Sequence, residues 1–364
     1  MKALVVAVLI RAACAQGVDF YQEGVKALDA RKFEAALDLF SKAIAADSQD
    51  YAAHFNRGLA LTYLNRDTDA IAEYRRVLEI KPDVFEAELN LATSLVKTNQ
   101  FAEAEQTYLK ALALKPDSQA AESGLGRALA RQGKLDEADP HYRKAGEVKE
   151  LAAEYELARK PQKAIAIYKE FPQDPAAQER MGALLLESGN AEEAVAPLEF
   201  AVGKSPTAAN QLALAQAYVR SRQTAKAEPL AAAALGAAPQ DVDLRMFYAK
   251  LLRDERKFPQ AAAQFQAAAQ ANPDMPAAWT ELAGVLVMME QYPPALAALD
   301  RVHALHAETA GHYFLRGMVL DRMRQPKEAI ANYNQFLTLS DGKNPDQEFQ
   351  ARQRVKTLER EVKR

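Results

Sequence analysis

Cysteine, tryptophan and long apolar runs are nearly absent from this chain. One cysteine among 364 residues excludes a disulfide within the chain and any paired-cysteine metal motif. The 46 basic and 49 acidic side chains nearly cancel, and the formal net charge of −3 provides no basic footprint for nucleic acid. No segment approaches the roughly 18 consecutive apolar residues that a membrane-spanning helix needs. We therefore predict no nucleic-acid partner and no transmembrane segment.

Sequence motifs of enzymes and cofactor sites are absent as well. There is no Walker loop, no nucleophile elbow and no glycine fingerprint between a strand and a helix. The one suggestive glycine pair, Gly124 and Gly126, falls inside a predicted helix, where such a pair is structural. The sequence therefore predicts a protein that is not an enzyme and has no cofactor.

A histidine cluster near the C-terminus is the one candidate metal site. His303 and His306 are three residues apart, with Glu308 and His312 nearby, and imidazole and carboxylate groups are zinc ligands. Histidines at the end of a helix also cap its free carbonyl groups and interact favourably with the negative end of its dipole. We therefore predict no metal site. An enzyme or metal-binding protein that uses a cleft between two repeat arrays is the less favoured alternative.

The N-terminal segment differs in composition from the rest of the chain. Lys2 precedes the apolar run 3–10, and Ala13-Cys14-Ala15 fits the small-x-small rule for cleavage after Ala15. We expect residues 1–15 to be an export signal and the product to be periplasmic or secreted. Lipidation at Cys14 is the alternative, which Arg11 disfavours because lipoprotein signals resemble one another in having an apolar residue at that place. An ordinary helical or frayed N-terminus is the third possibility.

Small residues recur along the chain at a fixed spacing. Successive alanines lie mostly 34 residues apart, with shorter steps of 26 and 30 in the middle. A glycine or alanine precedes each of them by twelve positions, and a large residue follows most of them by four. Two antiparallel helices cross closely only where the residue at the crossing is small, so the spacing predicts a solenoid of helix pairs. The alanines are Ala36, Ala70, Ala104, Ala138, Ala164, Ala194, Ala227, Ala261, Ala295 and Ala329.

The pattern resembles the tetratricopeptide repeat. The residues at that family's signature positions are Gly58, Ala70, Tyr74 and Pro82 in one copy and Trp279, Leu282, Ala283 and Ala295 in another. Ten such copies cover nearly all of the chain after its N-terminal segment. The resemblance implies an all-α, right-handed superhelical solenoid of about ten helix-turn-helix repeats with a C-terminal capping helix. It also implies a function in holding partners rather than in catalysis.

The repeats divide into two arrays. Residues 17–144 hold four copies in strict register, and residues 175–343 hold five more. Residues 145–174 form a compressed, irregular copy between them. This segment predicts either one continuous solenoid with a locally changed superhelical angle or a hinge between two modules. We expect residues 344–364 to form an amphipathic helix that caps the last repeat.

The resemblance places the partner-binding groove on the concave face, which the first helix of each pair lines. Residues near the small crossing position, but rotated away from it on the helix, face this groove. Asn56 and Asn90 resemble the asparagines with which some family members hold a peptide backbone. The candidate groove residues are Phe55, Asn56, Asn90, Lys97, Arg127, Arg131, Met246, Phe247, Lys250, Met288, Phe314 and Met318.

These residues predict a non-catalytic scaffold or adaptor that binds a protein or peptide segment in the cell envelope. An assembly factor of a pilus or outer-membrane complex is an alternative of the same kind. Methionine and phenylalanine in the C-terminal array give adaptable apolar contact, whereas Arg127 and Arg131 in the N-terminal array give basic contacts. We expect Phe314 to be an anchor whose replacement by alanine lowers affinity with little loss of folding.

Overall fold

The chain folds into a series of antiparallel helices. The computed structural model describes residues 19–363, and within that range it contains 21 α-helices and no strand. The predicted all-α helical-repeat solenoid is confirmed. The predicted export signal at residues 1–15, with Cys14, lies outside the described residues.

The chain separates into two compact units, the first ending at Glu170 and the second beginning at Phe171. Unit 1 contains five helix pairs. Their helices are α1 Phe20–Asp29, α2 Phe33–Ala46, α3 Tyr51–Tyr63, α4 Asp67–Ile80, α5 Phe85–Lys97, α6 Phe101–Leu114, α7 Gln119–Arg131, α8 Leu135–Ala145, α9 Val148–Leu157 and α10 Pro161–Tyr168.

Unit 2 contains five further helix pairs and one last helix. Its helices are α11 Pro175–Glu187, α12 Ala191–Lys204, α13 Ala208–Arg220, α14 Thr224–Ala237, α15 Val242–Asp254, α16 Phe258–Ala271, α17 Pro276–Met288, α18 Tyr292–Ala304, α19 Ala310–Arg322, α20 Pro326–Ser340 and α21 Pro345–Val362.

The compressed copy is built from shortened helices. Helix α9 has 10 residues and α10 has 8, compared with 13 and 14 in the next pair, α11 and α12. Only residues 146–147 connect α8 to α9, and Gly146 adopts a left-handed conformation with φ 75° at that connection. The boundary between the units falls inside the predicted segment 145–174. A hinge at this place stays a prediction.

The two helices of each pair meet at the small residue that the sequence pattern identified. In α11, a Cβ added to Gly182 would lie 2.4 Å from Cγ of Leu198 on α12. A Cβ on Gly317 would lie 2.8 Å from the ring of Tyr333. The alanines of the other column have no solvent exposure. Close helix approach at these positions therefore leaves no room for an additional carbon atom.

Each pair turns through one residue in the left-handed conformation, seven positions after the small residue. The next backbone N–H donates to a carbonyl near the end of the first helix, as in Gln325 N to Leu320 O at 2.9 Å, which closes a Schellman-type cap. Only two of the ten turn residues are glycine, so the sequence gives little sign of this column. The residues are Arg31, Asn65, Asn99, Gly133, Arg159, Gly189, Arg222, Arg256, Glu290 and Arg324.

Polar side chains lie between the two helices of several pairs, four positions before the small residue. His54 Nδ1 is 2.7 Å from Glu73 Oε2, and Glu122 has an equivalent contact with a histidine. Glu88 occupies the same place in α5 and is 8% exposed, but its Oε2 atom has no hydrogen-bond partner among the described residues. Burial raises the pKa of Glu88, and the positive charge of Lys110 opposes this effect only in part.

Helix α21 covers the apolar face that the last pair would otherwise expose. Ala351 and Leu358 are buried on it, and they pack with Phe336 of α20 in one apolar cluster. Phe349, on the first half of the same helix, remains 65% exposed. The first half of α21 therefore presents an aromatic side chain to solvent.

Two glycines in unit 2 provide a matched test of the helix crossing. We expect Gly182→Ala to lower the free energy of unfolding by about 1–3 kcal/mol, because the new methyl group overlaps Leu198. Gly284 is also inside a helix but has open space around it, so Gly284→Ala should raise stability by about 0.5–1 kcal/mol. Urea denaturation measures both. Equal effects of the two substitutions would contradict this account of the crossing.

Glu88→Gln tests the buried carboxyl group. A raised pKa means that the folded state holds the proton more tightly than the unfolded state. The wild type therefore loses stability as the pH rises through the folded-state pKa, whereas glutamine stays neutral. We expect the variant to be the more stable protein at pH 7. Its advantage should shrink as the pH falls towards 4.5, the ordinary pKa, and should be lost below it. Urea denaturation midpoints of both proteins, measured at pH 7 and below pH 4.5, test this expectation, with Glu86→Gln as the control. A variant less stable than the wild type at pH 7 would overturn the prediction.

Candidate functional site

Several predicted groove residues of α3 and α5 make contacts inside unit 1. Phe55 and Asn56 are buried; Phe55 lies 5.9 Å from the ring of Tyr74, and Asn56 Nδ2 donates to the Tyr21 hydroxyl at 3.1 Å. Asn90 is half-buried and donates to the Glu86 carbonyl at 2.8 Å. Burial removes Phe55 and Asn56 from the accessible face. In this structure their side chains stabilise the repeat core, so only Asn90 of the two asparagines is accessible to a partner.

The basic groove residues of unit 1 already have partners. Lys97 Nζ is 3.2 Å from Asp67 Oδ1, and Arg131 is 3.4 Å from Glu154. Burial raises the pKa of Tyr142 to about 12, and the nearby positive charge of Arg127 opposes this effect in part. These contacts compensate part of the positive charge that the sequence pattern assigned to this face. An orienting role for Arg127 and Arg131 stays a prediction.

The predicted groove residues in the middle repeats of unit 2 lie partly in the core and partly at the surface. Met246 is buried in the apolar core, whereas Phe247 is half-buried. Lys250 Nζ lies 3.8 Å from Glu281, which Arg253 also contacts. Met288, at the end of α17, is 58% exposed. Phe247 and Met288 are therefore the accessible apolar members of this group, and the groove prediction rests on them rather than on Met246.

The last repeat and helix α21 form a cleft of about 680 Å³, which we call the C-terminal cleft. Its apolar walls are Phe314 and Met318 of α19, Tyr333 of α20 and Phe349 of α21. Its polar lining residues are Asp321, Arg322, Arg324, Gln350, Gln353 and Arg354. The volume lies within the usual range of ligand pockets, which is roughly 300–1,000 Å³.

Phe314 belongs both to this cleft and to the core beneath it. Its ring centroid lies 5.0 Å from that of Phe336 and 5.9 Å from that of Tyr333. Aromatic pairs at such separations stabilise a fold beyond their buried area. Because its ring is part of the aromatic cluster of the last repeat, we now expect Phe314→Ala to lower stability as well as affinity.

An Arg–Asp fork holds α21 against α19 at the edge of the cleft. Arg354 donates through Nε and Nη2 to the two carboxylate oxygens of Asp321, each at 2.7 Å. This bidentate geometry is stronger than a single ion-pair contact. Burial, together with the nearby Asp321 charge, raises the pKa of Tyr333 to about 12, so its hydroxyl stays neutral at physiological pH. Arg322 and Arg324 form no ion pair with any residue in the range 19–363.

A second cavity, in unit 1, is too small for a ligand. It lies beside Phe55 and Asn56, with Tyr51 and Val84 among its lining residues, and measures about 10 Å³. That space is close to the minimum for a single water molecule. A peptide side chain would have to displace part of the repeat core to enter it.

The histidine cluster has structural partners. His303 Nδ1 lies 2.6 Å from Glu308 Oε2, and His303 is in the last turn of α18. His312 completes a capping box with Thr309 at the start of α19, and burial lowers its pKa. No group of three histidine, cysteine, aspartate or glutamate side chains is arranged for metal binding in the described part of the chain.

The sequence pattern identified only part of the C-terminal cleft. It included Phe314 and Met318 among the groove residues, but it assigned Phe349 to the cap alone. The sequence signal that pointed to Phe349 was an aromatic residue within a highly charged segment. The structure shows that its side chain is exposed. Arg324 was missed because it lies in the turn between α19 and α20, outside the first-helix positions from which the groove was predicted.

Models of the tetratricopeptide repeat match the chain, one at residues 21–84, 89–147 and 212–276 and another at residues 252–315. No curated protein matches it. Similar solved structures include the crystal structure of yeast Tom70, with a TM-score of 0.40, 14% identity and coverage of 94% of this chain and 96% of that chain. Another is the P58(IPK) TPR domain, with a TM-score of 0.30, 18% identity and coverage of 94% and 97%.

The matches to the repeat models and the helical structure together show the family of this protein. Among residues 19–363, no helix has the length and apolar character needed to cross a membrane. The first repeat model alone matches more than half of the chain. Repeats of this kind bind protein partners, and their fold is typically a non-catalytic scaffold. The chain belongs to the tetratricopeptide repeat family.

Proposed function

We propose that this protein is a non-catalytic scaffold or adaptor that binds a protein or peptide segment through the concave side of its repeats. The observation that carries the proposal is the C-terminal cleft, where Phe349 is 65% exposed beside the half-buried Met318. Exposed apolar side chains grouped in a concavity are typical of interaction sites. The proposed anchor is therefore the cleft, with Phe247 and Met288 as further contacts in unit 2.

The proposed location is the cell envelope. It rests on the sequence pattern of residues 1–15, with its apolar run and small-x-small end. A dedicated assembly factor of a pilus or outer-membrane complex would use the same binding face, and its partner would then be a subunit of that complex.

N-terminal sequencing of the protein purified from its natural host tests the location. Cleavage after Ala15 gives a mature chain that begins at Gln16. A lipid-modified chain that begins at Cys14 would instead identify the lipoprotein route. An intact chain that retains Met1 and fractionates with cytoplasmic proteins would show that the export proposal is wrong.

Phe349→Ala tests the binding function separately from folding. Because Phe349 is mostly exposed, we expect the variant to keep its thermal midpoint but to bind the partner more weakly by roughly 1–3 kcal/mol, as hot-spot truncations do. Phe314→Ala should lower both stability and binding, since its ring also packs on Phe336. Quantitative pull-down from an envelope extract, with wild type and variants as bait, measures the change in captured protein.

Leu339→Ala is the matched control in this experiment. Leu339 is 45% exposed on α20 but does not line the C-terminal cleft, so its replacement should leave capture unchanged. If every captured protein binds wild type and Phe349→Ala equally, the cleft is not the anchor.

A further inference from the structure

We infer that the C-terminal cleft recognises a peptide segment in which an apolar side chain stands next to one or more carboxylates. This inference rests on the proposed function and specifies the chemistry of its partner. Three observations support it: an open apolar floor, an uncompensated pair of arginines at the rim and a wall that is already fixed in place.

The floor and walls fit an apolar side chain. Phe314, Met318 and Phe349 line the cleft from two different helices, and Tyr333 contributes a neutral aromatic surface. Methionine adapts to side chains of different shape, and phenylalanine provides a large apolar contact area. The volume of about 680 Å³ leaves space for side chains of a partner to enter rather than only rest on the surface.

The lining residues of the cleft carry a net positive charge after the Asp321–Arg354 ion pair is set aside. Asp321 is the one carboxylate among the described lining residues, and Arg354 neutralises it through two hydrogen bonds. Arg322 and Arg324 remain without a carboxylate partner within residues 19–363. An acidic partner would supply the missing negative charges, whereas a basic partner would meet two like charges.

This pair differs from three basic residues on the first helices of other repeats. Lys97, Arg131 and Arg253 each contact a carboxylate of the chain itself. Those carboxylates already compensate the positive charges and compete with any acidic ligand. The two arginines of the last repeat have no such internal carboxylate partner in the described part of the chain, and both are exposed beside the C-terminal cleft.

The cleft is also preorganised. The Asp321–Arg354 fork and the buried Leu358 hold α21 on the preceding pair, so the wall that carries Phe349 has a fixed position before a ligand arrives. Gln350 and Gln353 also line the cleft, and an amide group can both donate to and accept from a peptide backbone. A fixed site loses less entropy on binding than one that must be assembled.

Selection from a random twelve-residue peptide library displayed on phage tests the inference with the full-length protein as target. We expect the enriched peptides to contain an aromatic or large aliphatic residue with Asp or Glu within two positions. A selected peptide is then synthesised together with two relatives, one with each acid replaced by its amide and one with each acid replaced by lysine. Fluorescence anisotropy at low and high salt measures the three affinities.

The arginines are tested in a double variant, Arg322→Gln with Arg324→Gln. We expect roughly tenfold weaker binding of the acidic peptide at low salt and a smaller difference at high salt, because exposed charges are screened. Binding of the amide relative should not change. The control removes two positive charges outside the cleft, Lys327→Gln with Lys356→Gln, and should leave the affinity of the acidic peptide within about twofold of wild type.

The possible results separate this inference from the proposed function. Peptides that need Phe349 but bind equally well as acids and amides would overturn the charge requirement and leave the binding function in place. Peptides that bind Phe349→Ala as tightly as wild type would show that the cleft is not their site, which contradicts both. No enrichment above a target-free control would also count against both.

Discussion

The close crossing of the two helices in each repeat is the constraint on which the rest of this structure depends. At Gly182 and Gly317 the facing side chain lies where a Cβ would be, and the alanine column is fully buried. Because each crossing is local, the core grows from one repeat to the next, as in the cluster that extends from Met246 to Val319 in unit 2. The solvent-exposed side chains of the first helices are then free to vary without cost to the packing.

Neighbouring repeats are joined by ion pairs that also determine which charges face a partner. Lys97 with Asp67 and Lys134 with Glu105, at 2.8 Å, join successive pairs in unit 1, and Arg354 with Asp321 joins α21 to the last pair in unit 2. Exposed pairs of this type contribute little stability individually. They also compensate basic side chains that the sequence alone would present as available for binding.

The C-terminal cleft arises where the repeat pattern ends. A terminal repeat needs cover for its apolar face, and α21 provides it with Ala351 and Leu358 while it leaves Phe349 outside the core. An inner repeat in this position would fill the space above Phe314 with its own helices. The same helix that completes the core therefore also creates the concavity, which explains why the C-terminal cleft lies at the end of unit 2.

The sequence by itself determined the helical repeat, its ten copies, the buried small residues and the compressed copy, because each depends on residue size at fixed spacing along one helix pair. Asn56, Met246 and Phe314 show where that reasoning ended: a residue on the groove side of a helix becomes core or surface according to what the neighbouring helix places against it. The left-handed turn at Arg324 was not predicted for a different reason: at these turns arginine, asparagine and glutamate adopt that conformation as well as glycine, so glycine alone does not mark it. Only the tertiary structure could place Phe349, Arg322 and Arg324 around one cleft, because these residues belong to different elements and their proximity depends on how α21 packs on the last repeat.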